Sequence, residues 1–297
     1  MSRVYGGGGR CVIVVGSFPF VVCDVFTDRP LTGNQLAVFT EAQNLDDATM
    51  QALAREVNFS ESTFVLPPRS GGDARIRIFT PRRELPFAGH PTLGSAFVLA
   101  ELRKRDQIVL ETEMGHVPVA FGEQKSRSRP AVGWMRQPTP TITPFMNEGP
   151  LLDALGIRAT SLPVEEYDNG PRHVCVAVDS VETVAGLRPD MARLAELGSL
   201  CVSVFAGHGA AWKTRMFAPG EGIPEDPATG SAAGPIAVHL ARHGRIPYGL
   251  QIAIDQGAEI GRPSKLYASC TGTAERIYTV EVGGSCVVVA RGTFTLP

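Results

Sequence analysis

The stretch IPEDPATGSAAG (residues 223–234) follows directly on TRMFAPGEG (residues 214–222). Far upstream stands IRIFTPRRELPFAGHPTLGSA (residues 76–96). Arg77-Ile-Phe-Thr-Pro81 and Arg215-Met-Phe-Ala-Pro219 are near copies, 138 positions apart. Each is followed five residues on by a proline, Pro86 and Pro224. Each then enters a Gly/Thr/Ser-rich patch that opens an apolar run. In both places the pattern reads strand, turn, helix start. A solenoid repeats every ~20–50 residues, so this period is too long for one. It predicts two similar halves related by a pseudo-twofold axis. Two equivalent helix N-termini can then face each other across the cleft between the halves. Each presents unpaired N–H groups and partial positive charge, so the pair is a ready carboxylate site.

The chain has 297 residues, of which 43% are hydrophobic and 20% charged. It can bury a sizeable core, which excludes the disordered classes. A net charge of −2 supplies no electrostatic reason to expect nucleic acid or an anionic membrane as partner. No apolar run approaches the ~18–20 residues that span a bilayer, and the first twenty residues do not read as a signal peptide. Six cysteines stand at 11, 23, 175, 201, 270 and 286, none of them in a C-x-x-C pair. Zinc and thioredoxin-like motifs are not indicated. Most of the cysteines sit among Val and Ile, as small buried hydrophobes do, and the cytoplasm is the expected compartment.

Residues 1–19, with glycines at 6–9, have no clear period and read as an extension or an irregular edge strand. From Phe20 the chain alternates strands with a helix capped by Asp46 or Asp47 and a second helix in HPTLGSAFVLAELRKR, basic in its last turn as the helix dipole favours. The first half is expected over 20–137, joined by a C-terminal strand at 286–297, and the second over 138–285. The Pro/Thr-rich residues 138–144 read as a linker. Strands, four to six helices and no strict alternation predict an α+β fold rather than a doubly wound sheet.

Three acid/base groups stand near the copied turns: Glu61, His90 in AGHP, and Asp226 in EDPATGS. A proton-moving site needs such groups close together and tuned by burial. Each also has a plain structural reading. Glu61 could be an exposed charge at a helix end, His90 a capping or buried donor residue, and Asp226 an N-cap before a proline at the first helical position. There is no nucleophile elbow, Rossmann or P-loop fingerprint. His239 and His243 lie four apart on a helix, but no glutamate follows His239 as in H-E-x-x-H, and no metal site is expected.

DVFTDRPLTGNQLAVF, NFSESTFV, RIFTPRRELPFAGHPTLGSA, RMFAPGEGIPEDPATGSAAG and IGRPSKLY together resemble the PhzF-like family, the phenazine-biosynthesis-type isomerases. The resemblance runs from about residue 20 to the end. It implies a diaminopimelate epimerase-like fold of two pseudo-symmetric halves, each a sheet wrapped round a central helix, with the site in the cleft. It implies Glu61, His90 and Asp226 as catalytic residues, and Gly89, Gly230 and Ser231 as substrate-binding ones. It also implies an isomerase that needs neither metal nor organic cofactor, like the one acting on trans-2,3-dihydro-3-hydroxyanthranilate. Related epimerases and racemases carry one cysteine at each helix turn. Neither turn has one here, so a two-thiol mechanism is excluded. The turn Thr32-Gly33-Asn34-Gln35 departs from the family's usual T-G-N-P.

The first expectation is therefore an isomerase in which Glu61 moves a proton on a small cyclic carboxylate, working as a homodimer. Glu61 should be partly desolvated and share one pocket with His90 and Asp226. A thiol-independent epimerase or racemase and a non-catalytic metabolite-binding protein stand as alternatives.

Overall fold

The computed structural model describes residues 16–122 and 131–296, so the tetraglycine and Cys11 lie outside the described residues. Strands Gly16–Val25, Asn34–Phe39, Glu61–Leu66, Ala74–Phe79, Gln107–Thr112, Gly115–Phe121 and Gly133–Gln137 pair in chain order. Their directions run antiparallel, parallel, antiparallel, parallel, antiparallel, antiparallel. Strands Glu165–Asp168, Arg172–Ala177, Cys201–His208, Ala211–Ala218, Ile252–Gln256, Ser264–Gly272 and Ile277–Gly284 repeat the same succession of directions. The two runs join where Gly133–Gln137 pairs antiparallel with Ile277–Gly284. The expected two-half α+β architecture is what the chain adopts.

Parallel neighbours cannot be joined by a tight turn and need a crossover. All four parallel pairings here are bridged by helices. Asp47–Val57 serves the first, and Val181–Gly186 with Met191–Glu196 the equivalent one in the second half. Gly89–Arg103 and Gly230–Arg242 serve the other two, and these are the central helices. From Gly89 to Ala96 and from Gly230 to Ala241 every residue is buried. A helix apolar on all sides is stable only when packed all round, and the sheet supplies that wrapping.

Each half takes its outermost strand from beyond its own run. Cys286–Leu296 pairs with Gly16–Val25, so the C-terminal strand returns to the first half. That pairing starts at Gly16, four residues before the expected boundary at Phe20. Thr141–Pro144 pairs with Glu165–Asp168 in the matching place. Residues 138–144 are therefore not simply a linker. Thr-Ile-Thr favours a pleated surface, and an edge strand tolerates the missing N–H of Pro144.

The large central core runs through both halves, with a satellite core under each outer helix layer. One packs Phe39, Phe64 and Phe79 beneath Met50 and Leu53; the other packs Val174, Val202 and Phe217 with Leu151 and Leu194. The copied arginines also match. Arg77 pairs with Glu84 at 2.6 Å and lies 5.1 Å from the Phe79 ring centre. Arg215 pairs with Glu225 at 2.8 Å and lies 5.0 Å from the Phe217 ring centre.

Candidate active site

Those two ion pairs fix where each chain turns toward its central helix. Five residues beyond Glu84 the first helix begins at Gly89, and five beyond Glu225 the second begins at Gly230. Counted this way, Leu85 matches Asp226, Pro86 matches Pro227, and His90 matches Ser231. Pro224 is thus not the counterpart of Pro86. The short 3-10 turn Pro219–Glu221 lengthens the second copy.

The two helix starts abut. A methyl group built on Gly89 would overlap the backbone nitrogen of Ser231 and lie 2.5 Å from the carbonyl carbon of Gly230. A methyl on Gly230 would reach to 3.2 Å from the carbonyl carbon of Gly89 and collide with the Phe26 ring. Neither helix has a side-chain cap: Ala88 and Thr229 occupy the cap positions without capping bonds. Among the outer helices, Asp46, Ser180 and Asp190 cap those that start at Asp47, Val181 and Met191, while Glu148–Leu155 also lacks a side-chain cap. Side-chain capping is thus missing where two helix ends, both favourable to negative charge, meet. Inside the second helix Pro235 lacks the N–H that would bond to Ser231, and the freed Ser231 carbonyl accepts from Asn169 Nδ2 at 3.0 Å instead.

Glu61, Gly89, His90, Asp226, Gly230 and Ser231 all line one cavity of about 290 Å³. Glu61 opens its strand and is 8% exposed; His90 is 3% and Asp226 4%. Glu61 Oε2 stands 3.6 Å from His90 Nε2, and neither atom has a hydrogen-bond partner. Burial, then the charge of Asp226, push the Glu61 carboxyl up to about 8, against a hydrogen bond from Ser60. Burial pushes the His90 imidazole down to about 3, against a bond to the Gln35 backbone. Burial raises Asp226 to about 6, while hydrogen bonds from Thr229 and Asn34 hold it down. Burial thus raises both carboxyls, and Glu61 holds the pair's last proton more tightly than Asp226, beside a neutral imidazole.

The plain readings of Glu61 and Asp226 do not survive. Glu61 is neither exposed nor remote. Asp226 is not the helix cap: its Oδ2 accepts from Thr229 Oγ1 at 2.5 Å and its Oδ1 from Asn34 Nδ2 at 2.9 Å. His90 is buried as that reading allowed, but it lines the cavity and sets its Nε2 against Glu61.

Four residues of the site escaped sequence reading. Asn34 joins the halves: besides Asp226, its Nδ2 donates to Ala228 O at 2.9 Å and lies 3.2 Å from His90 Nδ1, while its Oδ1 accepts from Ser60. Its turn had been noted only as a departure. Arg83 and Glu221, in the two copied turns, form a two-point ion pair at 2.7 and 3.1 Å along the cavity. Cys201 also lines the cavity, although it stands in neither helix turn. It opens its strand as Glu61 opens the equivalent one, but unequal loops hide the match in sequence.

His239 and His243 form a group with Glu165, the three within reach of one ion. Glu165 Oε2 already accepts from Arg242 at 2.9 Å and Tyr167 at 2.8 Å, so the guanidinium supplies the positive charge. This cluster lies two turns or more along the helix from Ser231.

The family model described as phenazine biosynthesis-like protein matches residues 23–292. The trans-2,3-dihydro-3-hydroxyanthranilate isomerase of Pseudomonas aeruginosa is 51% identical over 92% of this chain and 98% of its own. That of Pseudomonas fluorescens is 49% identical over 93% and 99%. Among solved structures, the Bacillus anthracis phenazine biosynthesis protein of the PhzF family superposes with a TM-score of 0.82 at 24% identity, covering 95% of this chain and 100% of that one. A hydroxyproline epimerase from Agrobacterium vitis shares the fold, with a TM-score of 0.64 at 14% identity, covering 94% and 93%. Fold and relatives define an isomerase of the diaminopimelate epimerase-like architecture. Within that class, the chain belongs to the phenazine biosynthesis-like (PhzF) family.

Proposed function

We propose that this protein isomerises trans-2,3-dihydro-3-hydroxyanthranilate, or a cyclic carboxylate of the same shape, by moving one proton between two ring carbons. The observation that carries the reading is the facing pair of unpartnered atoms, Glu61 Oε2 and His90 Nε2, beside the two uncapped helix starts. The N–H groups of Gly89, His90, Gly230 and Ser231 take the substrate carboxylate between them. Glu61 removes the proton from one carbon and returns it to another. A value near 8 keeps both of its forms accessible at neutral pH, as a group serving first as base and then as acid requires. His90, neutral, positions the substrate and relays protons. Asp226 stays ionised and, by its charge, helps hold the proton on Glu61. No net proton is gained or lost, and every step uses this chain's own groups, so neither metal nor organic cofactor enters the scheme.

The epimerase alternative requires a second base on the far side of the substrate. The place that matches Glu61 in the other half holds Cys201, whose thiol burial and the charges of Asp226, Glu221 and Glu61 push up to about 12. That favours proton transfer from one side only.

Glu61→Gln tests the scheme. An acid/base group contributes typically ~10²–10⁴-fold. The variant should fold, bind the substrate and lose turnover by that order, while the native enzyme keeps its rate in a chelator. A Glu61→Gln enzyme that turns over normally removes Glu61 from the role. The assembly and compartment proposed are a cytoplasmic homodimer. Free cysteines at every described position support the second, and outer strands with one neighbour each, among the described residues, are compatible with the first. Light scattering checks the dimer.

A further inference from the structure

We propose that Cys201 is a specificity-determining residue whose thiol forms the pocket wall opposite Glu61 and touches the substrate ring. The inference rests on the isomerase reading of this site and adds a group that reading leaves idle.

The argument starts from strand register. Leu36 and Glu61 are partners in the parallel pair of the first half, and His173 and Cys201 are partners in the parallel pair of the second. One strand further on, Phe64 faces Arg77 and Val204 faces Arg215. Arg77 and Arg215 are the copied arginines, so Phe64 matches Val204, and Glu61 and Cys201, three positions before each, match in turn. Both side chains therefore leave the sheet on its inner face, beside the start of the central helix of their own half. The pseudo-twofold axis passes between those two helix starts. An anion held there has Glu61 on one side and Cys201 on the other.

A second observation comes from the cavity. Glu61, Cys201 and Asp226 line the same space, beside the unpartnered pair Glu61 Oε2 and His90 Nε2. Among the described cysteines, Cys201 alone is half-buried; 23, 175, 270 and 286 are buried. Its burial and carboxylate neighbours keep the thiol neutral. A neutral thiol is small, polarizable and a weak donor, well suited to lie against a ring face without offering a second base. The halves thus differ where they match: one presents a carboxyl that moves a proton, the other a thiol that limits width.

The experiment uses the full chain with Cys201→Ala, Cys201→Ser and Cys201→Phe. Turnover of trans-2,3-dihydro-3-hydroxyanthranilate is measured, together with calorimetric binding of anthranilate, which keeps the ring and carboxylate but has no proton to move. Cys201→Ala loses one ring contact and should raise KM and the anthranilate Kd roughly fivefold, a loss near the size of one weak interaction. Its kcat should stay within about twofold, and the pH limits of activity should not move, because no titrating group has gone. Cys201→Ser should lie between alanine and the native enzyme. Cys201→Phe fills the wall and should abolish anthranilate binding while leaving the unfolding temperature near native. Alanine and phenylalanine variants that bind and turn over like the native enzyme would overturn the proposal, as would a fall in kcat with KM unchanged. If the native protein binds anthranilate with this dependence on Cys201 but does not turn over the named substrate, the wall stands and the isomerase reading fails.

Discussion

Gly89 and the backbone nitrogen of Ser231, from helices in opposite halves, stand so close that no side chain fits between them. The obstruction is backbone, not the end of a flexible side chain, so it cannot swing aside. Gly89→Ala must push the helix starts apart. Overpacking costs typically about 1–3 kcal/mol, and here it also opens the anion site. Denaturant unfolding should show that loss, and substrate binding should weaken more than stability does. A Gly89→Ala enzyme with native stability and KM contradicts the close approach.

Activity should climb with pH through about 8, where Glu61 loses its proton and becomes the base. The state that begins turnover has Asp226 and Glu61 both ionised, with Glu61 free to take the substrate's proton. It declines as pH falls below about 8, where Glu61 takes up its proton, and further below about 6, where Asp226 protonates. These limits belong to the pair rather than to either residue alone. The measurement is kcat/KM against pH, which reports the free enzyme. A flat profile from 5 to 9 would exclude the assignment.

The same burial sets a stability trend of defined sign. Glu61 binds its proton more tightly folded than unfolded, since its carboxyl rises from 4.5 to about 8. Its contribution is fully present below about 4.5 and falls as pH rises through 8. His90, lowered from 6.5 to about 3, works oppositely, its contribution falling as pH drops below 6.5. Glu61→Gln keeps a neutral group at all pH. It should match the native protein near pH 4 and exceed it in unfolding temperature near pH 8. Equal pH dependence of both proteins would show that Glu61 titrates normally.

Asn34 should act through Asp226. Removing its amide leaves Asp226 Oδ1 and Ala228 O without that donor inside the protein. An unmade buried bond costs about 1–3 kcal/mol. The lost bond also lets the Asp226 carboxyl rise further, so the acid limb of the activity profile in Asn34→Ala should move to higher pH. An unmoved limb with lowered stability would leave Asn34 a structural role only.

Arg83 and Glu221 tie the two copied turns together across the cavity. The Arg83 side chain is 54% exposed, so the pair is screened and worth about 0–1 kcal/mol. Arg83→Gln should barely change stability. Native KM should drift with added salt toward that of Arg83→Gln, whose own KM stays flat. A native KM indifferent to salt would mean that the pair does not influence entry.

What the sequence by itself determined is local and periodic. The copied Arg-x-Phe-x-Pro segments announced the two halves, because a strand, a turn and a helix start leave their marks within a few residues. Glu61, His90 and Asp226 could be named as acid/base candidates near those copies, the family resemblance added Gly89, Gly230 and Ser231, and all six line one cavity. Tertiary structure alone decided the rest. Residues 141–144 became a strand because an edge was open to them, which composition does not reveal. Cys201 came to mirror Glu61 through strand register, which loops of unequal length conceal. Asn34 reached His90 and Asp226 across 56 and 192 positions. The acid/base order, with the proton on Glu61 rather than on Asp226, follows from burial and from which carboxylate receives hydrogen bonds. Desolvation and bonding are set by everything packed around a group, and a linear chain does not carry its own surroundings.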